Sequence, residues 1–252
     1  MSGTKSPSCG GGSGKTCGCS TASAPVSKKT PSVPIRDYIG EALQHPPRIF
    51  LCSFRPLSYS VAGRMAVEQQ GLQPFIDASC RREPDFESTH PAISALCRKE
   101  HFAPRLTIGS RVVYIAKKGN YPGVGESHWR LVAILKVIRS FPTHQLASER
   151  YQEKGLPLPS NCMVPGNPPL GLDMTDRTYP ELRRWDAIYR LRARECGVFH
   201  VCRKIYSELN HPPAITNAMM MEIFDRIPST QTPPSITEKQ YQHLYRIANE
   251  PA

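Results

Sequence analysis

Residues 106–138 read LTIGSRVVYIAKKGNYPGVGESHWRLVAILKVI, and the fold is decided here. Two apolar runs, Val112-Val113-Tyr114-Ile115-Ala116 and Leu131-Val132-Ala133-Ile134-Leu135, are rich in β-branched residues, have strand length, and flank a Gly/Pro/Asn loop. They predict a strand pair. Ile108-Gly109-Ser110 supplies the tight turn into the first strand, with Gly109 free to take positive φ. Each run is apolar over consecutive residues, so its strand is expected to be covered on both faces or curled into a small barrel.

Outward from this pair, Arg48-Ile49-Phe50-Leu51-Cys52-Ser53-Phe54 reads as a first strand, broken by Arg55-Pro56. Ser53, Phe54 and Arg55 therefore sit at a strand end, where sites are commonly built. Residues 59–70, 92–99 and 143–151 predict helices, and 155–169 a Pro-rich loop. Toward the C-terminus, residues 215–224 read as a helix, and a last helix is expected to start at Ser235, with Ser235 and Glu238 as a capping box. Residues 36–43 suggest a short helix stopped by His45-Pro46-Pro47. Residues 1–34 hold scarcely any large apolar side chain and are expected to be a disordered tail, leaving 35–252 as a single domain with C-terminal helices. Within the tail, Cys9-Gly10-Gly11-Gly12-Ser13-Gly14-Lys15-Thr16 imitates a phosphate-binding loop, but Cys9 stands where the motif needs glycine and no strand precedes it.

Composition narrows the partners. A formal charge of +11 and a pI near 9.3 favour a polyanion such as DNA or RNA, or an anionic membrane surface. No stretch approaches the ~18 consecutive apolar residues of a membrane span, and the N-terminus has no signal-like apolar region, so an intracellular protein, cytoplasmic or nuclear, is expected. Nine cysteines then read as thiols or metal ligands rather than a disulfide framework.

The densest chemistry lies in Cys80-Arg81-Arg82-Glu83-Pro84-Asp85-Phe86. Arg81 and Arg82 present planar forks suited to phosphate, and Phe86 a face on which a base can stack. The bland alternative is local pairing of either arginine with Glu83 or Asp85. Cys97-Arg98 repeats the Cys-Arg pairing, and Lys117 and Tyr121 place a cation and an aromatic ring in the loop between the central strands. Asn161, beside Cys162 in the Pro-rich loop, carries the donor and acceptor that read a base edge. The candidate binding set is thus Arg55, Arg81, Arg82, Glu83, Phe86, Arg98, Lys117, Tyr121 and Asn161. Trp129 is expected in the core. For catalysis, Glu83 is the candidate acid or base, and Cys80 or Cys97 the candidate nucleophile. Arg190, Arg192 and Arg194 would form a stripe on a strand but spread around a helix. Cys196, His200 and Cys202 have no standard zinc spacing, and neither a metal nor a cofactor is expected.

The order of elements resembles a known group. A first strand, a loop-rich crossover, Gly109-Ser110-Arg111-Val112-Val113-Tyr114-Ile115 and then Trp129-Arg130-Leu131-Val132-Ala133-Ile134-Leu135-Lys136-Val137 is similar to the PUA-like β-barrels, the EVE, ASCH and YTH relatives, over residues 48–150. The Cys80-Arg81-Arg82-Glu83-Pro84, Cys97-Arg98 and Ser160-Asn161-Cys162 signatures resemble those of nucleotide-modification-associated domains. The resemblance implies an α+β fold, a PUA-like small barrel with flanking helices, and recognition or processing of a modified or flipped base. Two functions follow as expectations: a nucleic-acid or modified-nucleotide binding domain, or an enzyme acting on a base or on RNA.

Overall fold

A computed structural model of the chain describes residues 46–98 and 101–250. The expected N-terminal tail, its loop of glycines and the helix at 36–43 lie outside the described residues. Among the described residues seven strands form one sheet: β1 (Ile49–Phe54), β2 (Ala92–Ser94), β3 (Arg111–Gly119), β4 (His128–Phe141), β5 (Phe199–Ser207), β6 (Ala214–Ile215) and β7 (Ser235–Ile236). Five α-helices accompany them among the described residues: α1 (Val61–Gln70), α2 (His144–Glu153), α3 (Tyr179–Glu195), α4 (Asn217–Phe224) and α5 (Glu238–Asn249).

The sheet runs β2-β5-β4-β3-β1-β7, with β6 attached to β4. The predicted pair β3/β4 is its antiparallel centre, and β1 lies parallel to β3 with Leu51 opposite Val113. The turn into β3 forms as expected. Gly109 has φ 92°, and the buried Ser110 hydroxyl accepts from the Thr107 amide at 3.1 Å and the Arg48 amide at 3.4 Å. Ser110 thereby satisfies two donors that the bend would leave bare.

The fold is α+β, and the sheet is open. β2 and β7 stand at opposite ends and do not pair with each other, so the expected closed barrel is not what the described residues form. The consecutive apolar residues of β3 and β4 have a different cause: both faces of the sheet are covered. On one face Phe50, Cys52, Tyr114, Leu135 and Val137 pack against Ile76, Phe86 and Phe102 of the long crossover. On the other, Leu51, Val113, Ile115 and Ile134 meet Met220 and Ile223 of α4 and Leu244 of α5. Near β5 this second face is covered by Ala147 and Tyr151 of α2, which pack on Phe199 and Val201. Trp129 is buried, as expected.

Three local expectations are corrected. Residues 92–94 are a strand, because Ala92, Ile93 and Ser94 find β5 as an antiparallel partner, which so short a stretch cannot announce. Ser235 belongs to β7 opposite Phe50, and α5 is capped instead by Thr237, whose hydroxyl accepts from the Gln240 amide at 3.2 Å while Gln240 returns a bond to the Thr237 amide. Ala214 and Ile215 pair with β4 before α4 begins, with Thr216 as its cap. Arg190, Arg192 and Arg194 lie on helix α3.

The ladder between β4 and β5 is irregular. Val137 faces Cys202, but the next partner of Val201 is Arg139, so Ile138 is an extra residue, a β-bulge. In α1, Gly63 is packed so closely that a Cβ would stand 1.7 Å from the Leu57 carbonyl oxygen. That atom is backbone and cannot rotate away. Gly63→Ala is expected to lower stability by about 2 kcal/mol or more, read as a drop in the urea midpoint; an unchanged midpoint would show that the α1 entry is loose.

Candidate functional site

The site begins where β1 ends. Pro56 stops the strand, and the chain beyond it is held by the returning segment 76–78: Leu57 donates to the Ile76 carbonyl at 2.8 Å, Ala78 to the Arg55 carbonyl at 3.0 Å, and Pro56 bridges Asp77. This brings Asp77 to the carboxyl end of β1. Its Oδ1 accepts from the Ser79 amide at 2.9 Å, the Ser79 hydroxyl at 2.5 Å and the Glu83 amide at 3.2 Å, an Asx turn that winds residues 77–83 into a knot.

Both arginines of the knot turn inward. Arg81, with no exposed surface, donates Nε to Asp186 Oδ1 at 2.7 Å and Nη1 to the Asn167 and Ser160 carbonyls at 2.9 and 3.3 Å. Arg82, with φ 35°, donates to the Asp77 carbonyl, to Met174 O at 2.7 Å and to Glu87 at 3.1 Å. Neither fork faces solvent, so neither offers itself to a phosphate. Phe86 is likewise interior, edge-on to Phe54 and Tyr114.

Around the knot opens a cleft of ≈ 330 Å³. Its floor is Phe54, Tyr114 and Phe102, and its polar wall Asp77, Glu83 and Ser94. Arg55, Arg98, Lys117 and Arg177 supply cations, and Cys97 and Tyr189 close one side. Of the candidates read from the sequence, Arg55, Glu83, Cys97, Arg98 and Lys117 therefore meet at one place.

Each cation is positioned differently. Arg55 pairs with the buried Asp176 at 2.7 Å and lies over Tyr59. Arg177 pairs with the other oxygen of Asp176 at 3.2 Å. Arg98 reaches the Ser53 and Gln231 carbonyls at 2.5 Å and the Thr230 carbonyl at 3.0 Å, tying the segment before β7 to the end of β1. Lys117 is exposed at the end of β3 with its ammonium 5.4 Å from the Tyr59 ring centre.

Glu83 is the most unusual group. Its Oε1 accepts from the Ser94 amide at 2.7 Å, and its Oε2 from the Ser94 hydroxyl at 2.6 Å and Asn161 Nδ2 at 2.9 Å. Burial pushes its carboxyl up to about 8, even though these three donors pull it down. Burial also raises Asp77 against its own hydrogen bonds. Near neutral pH Glu83 is thus largely a carboxylic acid, and its short contact with Ser94 can reverse. The protonated carboxyl then donates its hydrogen bond to Ser94 Oγ, and the Ser94 hydroxyl is free to donate into the cleft.

Asn161 lies beneath this wall. Its amide nitrogen serves both Glu83 and the Ala92 carbonyl, at 2.9 and 3.0 Å, and the residue is fully buried, so it supports Glu83 and does not line the cleft. Tyr121 is buried, donates to the Lys117 carbonyl at 2.5 Å, and borders a different cleft beside α1. The thiols are poor nucleophiles. Burial raises Cys80 to about 11, and raises Cys97 well above an ordinary thiol, with Asp77 and Glu83 adding to it. Cys97 has exposed surface, but its Sγ sits 4.0 Å from the hydroxyl of the buried Tyr189.

Of the Cys-x3-His-x-Cys residues, His200 has both ring nitrogens engaged, at 2.8 Å from Ser140 Oγ and from the Ala103 carbonyl, and Cys202 is buried in the core. Among the described residues no group of three His, Cys, Asp or Glu is placed to hold a metal, and no helix is long and apolar enough to cross a membrane. Sequence reading missed Asp77, Ser94, Tyr189 and the Asp176-Arg177 pair. Only Asp77-Ala78-Ser79 carried a usable signal, the Asx-turn pattern. No protein-family model, curated protein or solved structure matches the chain.

Glu83 makes stability depend on pH. Its folded value of about 8 exceeds the ordinary 4.5, so its contribution is whole at low pH and is lost as pH rises toward 8. His144 and His200, lowered to about 4 by burial, act oppositely but only below an ordinary histidine value of 6.5. Between pH ~6.5 and ~8 the decline due to Glu83 remains. Urea unfolding is expected to show stability falling by on the order of 2 kcal/mol across that window, and Glu83→Gln to flatten the decline; an equal decline in the variant would place the titration elsewhere.

Proposed function

We propose that the cleft at the end of β1 binds one base of a nucleic acid, DNA or RNA, in a flipped-out or single-stranded state, with modified bases among the candidates. The observation that carries this reading is the meeting of an aromatic floor, a donor-and-acceptor wall and a cationic rim in one cleft of ≈ 330 Å³. Tyr114, Phe102 and Phe54 offer apolar and π surface to a ring. Ser94, Glu83 and Asp77 offer hydrogen bonds to its edge. Lys117 and Arg55 stand where the attached phosphates would lie. The formal charge of +11 supports the same class of partner. The resemblance to PUA-like and nucleotide-modification-associated domains points the same way, and we infer that the open sheet is a PUA-like relative.

One observation favours a second reading, an enzyme acting on the bound base. A carboxyl held near 8 is poised to take or give a proton at physiological pH. In that case Glu83 is the acid or base, and the raised thiols of Cys80 and Cys97 are not the nucleophile.

Fluorescence anisotropy with a labelled single strand of about 8 nucleotides tests the binding reading, with affinity falling linearly in log K against log salt. Lys117→Glu is expected to weaken it about tenfold or more at low salt, about 1.4 kcal/mol. Free nucleoside monophosphates should compete. Absence of salt-sensitive binding at low ionic strength would end this reading.

A further inference from the structure

We propose that the opposite face of the sheet carries a second contact for nucleic acid, made to phosphodiester backbone alone. The inference rests on the preceding reading for the class of partner, and on nothing in the cleft. In the β4/β5 ladder Lys136 stands directly opposite Arg203. Like charges facing each other across an antiparallel pair repel, and this arrangement lowers stability unless an acid or a bound anion relieves it. Among the described residues neither cation has an acid partner.

The bulge at Ile138 extends the patch. Because Arg139 pairs with Val201, it emerges on the same face as Lys136 and Arg203, whereas Val137 and Cys202 point into the core on the cleft's side. Arg139 borders a cavity of ≈ 290 Å³, with Arg150 and Lys154 of the α2 end across from it. Its floor is apolar: Ile138, Val201, Leu156 and Tyr151. No Asp or Glu lines it, and the carboxylate joined to this set is Glu153, 3.1 Å from Arg150. Arg139 and Lys154 have no ion-pair partner among the described residues.

Six cations, Arg111, Lys136, Arg139, Arg150, Lys154 and Arg203, thus share one face, and two of them are paired, Arg111 with Glu238 and Arg150 with Glu153. An apolar floor under such a rim suits the alternation of phosphate and sugar along a backbone. A lone anion would leave that floor uncovered. No Asn or Gln lines the cavity, and besides its cations only His90 and Tyr151, whose hydroxyl already donates to the His90 carbonyl, could reach a base edge, so the contact discriminates little between sequences.

The test uses the full chain and two double variants, Lys136→Gln/Arg203→Gln and Arg139→Gln/Lys154→Gln, against a duplex of about 30 base pairs and a single strand of equal length. Each double is expected to reduce the salt slope of log K by about 2 for duplex, and to weaken binding at least tenfold at low salt. Lys136→Gln/Arg203→Gln should also raise the urea midpoint or leave it unchanged, since repulsion is removed. That result separates a binding role from damage to the fold. Unchanged slopes in both doubles overturn the proposal, as does equal competition by polyglutamate, which would assign the face to an acidic protein. Failure of the cleft reading shows separately, as Lys117→Glu leaving the short strand's affinity intact.

Discussion

Two buried guanidinium groups govern how the crossover between β1 and β3 is laid down. Arg81 and Arg82 are 0% and 1% exposed, and a cation withdrawn from water is tolerated only if its donors find partners. The partners are distant in sequence: Asp186 on α3, the Ser160 and Asn167 carbonyls of the Pro-rich loop, and Met174 beyond it. Satisfying the two forks therefore fixes three segments at once. The Pro-rich loop has few backbone bonds of its own and gains its shape from this clamp, which in turn sets Asn161 under Glu83. The cleft wall is a consequence of charge burial two residues away.

This arrangement also accounts for the chemistry of the wall. Asp77 and Glu83 are kept from water by the same packing that hides the arginines, and each keeps its place through hydrogen bonds to uncharged donors. Three such bonds on Glu83 do not offset full burial, so the proton is retained. The thiols around it follow the same logic, raised by burial. The site sets a carboxyl raised to about 8 and a second one raised by burial beside fixed cations.

The β3/β4 pair was legible in the sequence because consecutive β-branched residues report burial locally. Closure is not local, and the same apolar runs serve a barrel or a sheet covered on both faces, so the barrel did not follow from them. Similarly, Ala92-Ile93-Ser94 becomes a strand only through β5. Part of the cleft was readable: Arg55 at a strand end, Glu83, Arg98 and Lys117 were singled out by residue type and position. Direction was not. Arg81, Arg82, Phe86 and Asn161 have the side chains of a binding surface and point inward: an Asx turn and a positive φ at Arg82 rotate the chain at the two arginines, and Asn161 is drawn in by Glu83 and the Ala92 carbonyl. Cys-Arg-Arg-Glu-Pro reads identically whether its forks face a ligand or a carbonyl.

The bulge at Ile138 has a consequence for how this chain can change in length. Read with a period of two, Val137 and Arg139 would share a face, and Arg139 would enter the core beside Cys202. The extra residue restores the phase, sending Arg139 outward opposite Val201 while Ser140 still meets His200 inside. Losing Ile138 would leave those pairings in register, since Val137 and the following residue would simply become neighbours on the ladder. Gaining a residue there would invert every side chain to the end of the strand. Insertions and deletions at this point are therefore not equivalent, and the strand is open to shortening but closed to growth.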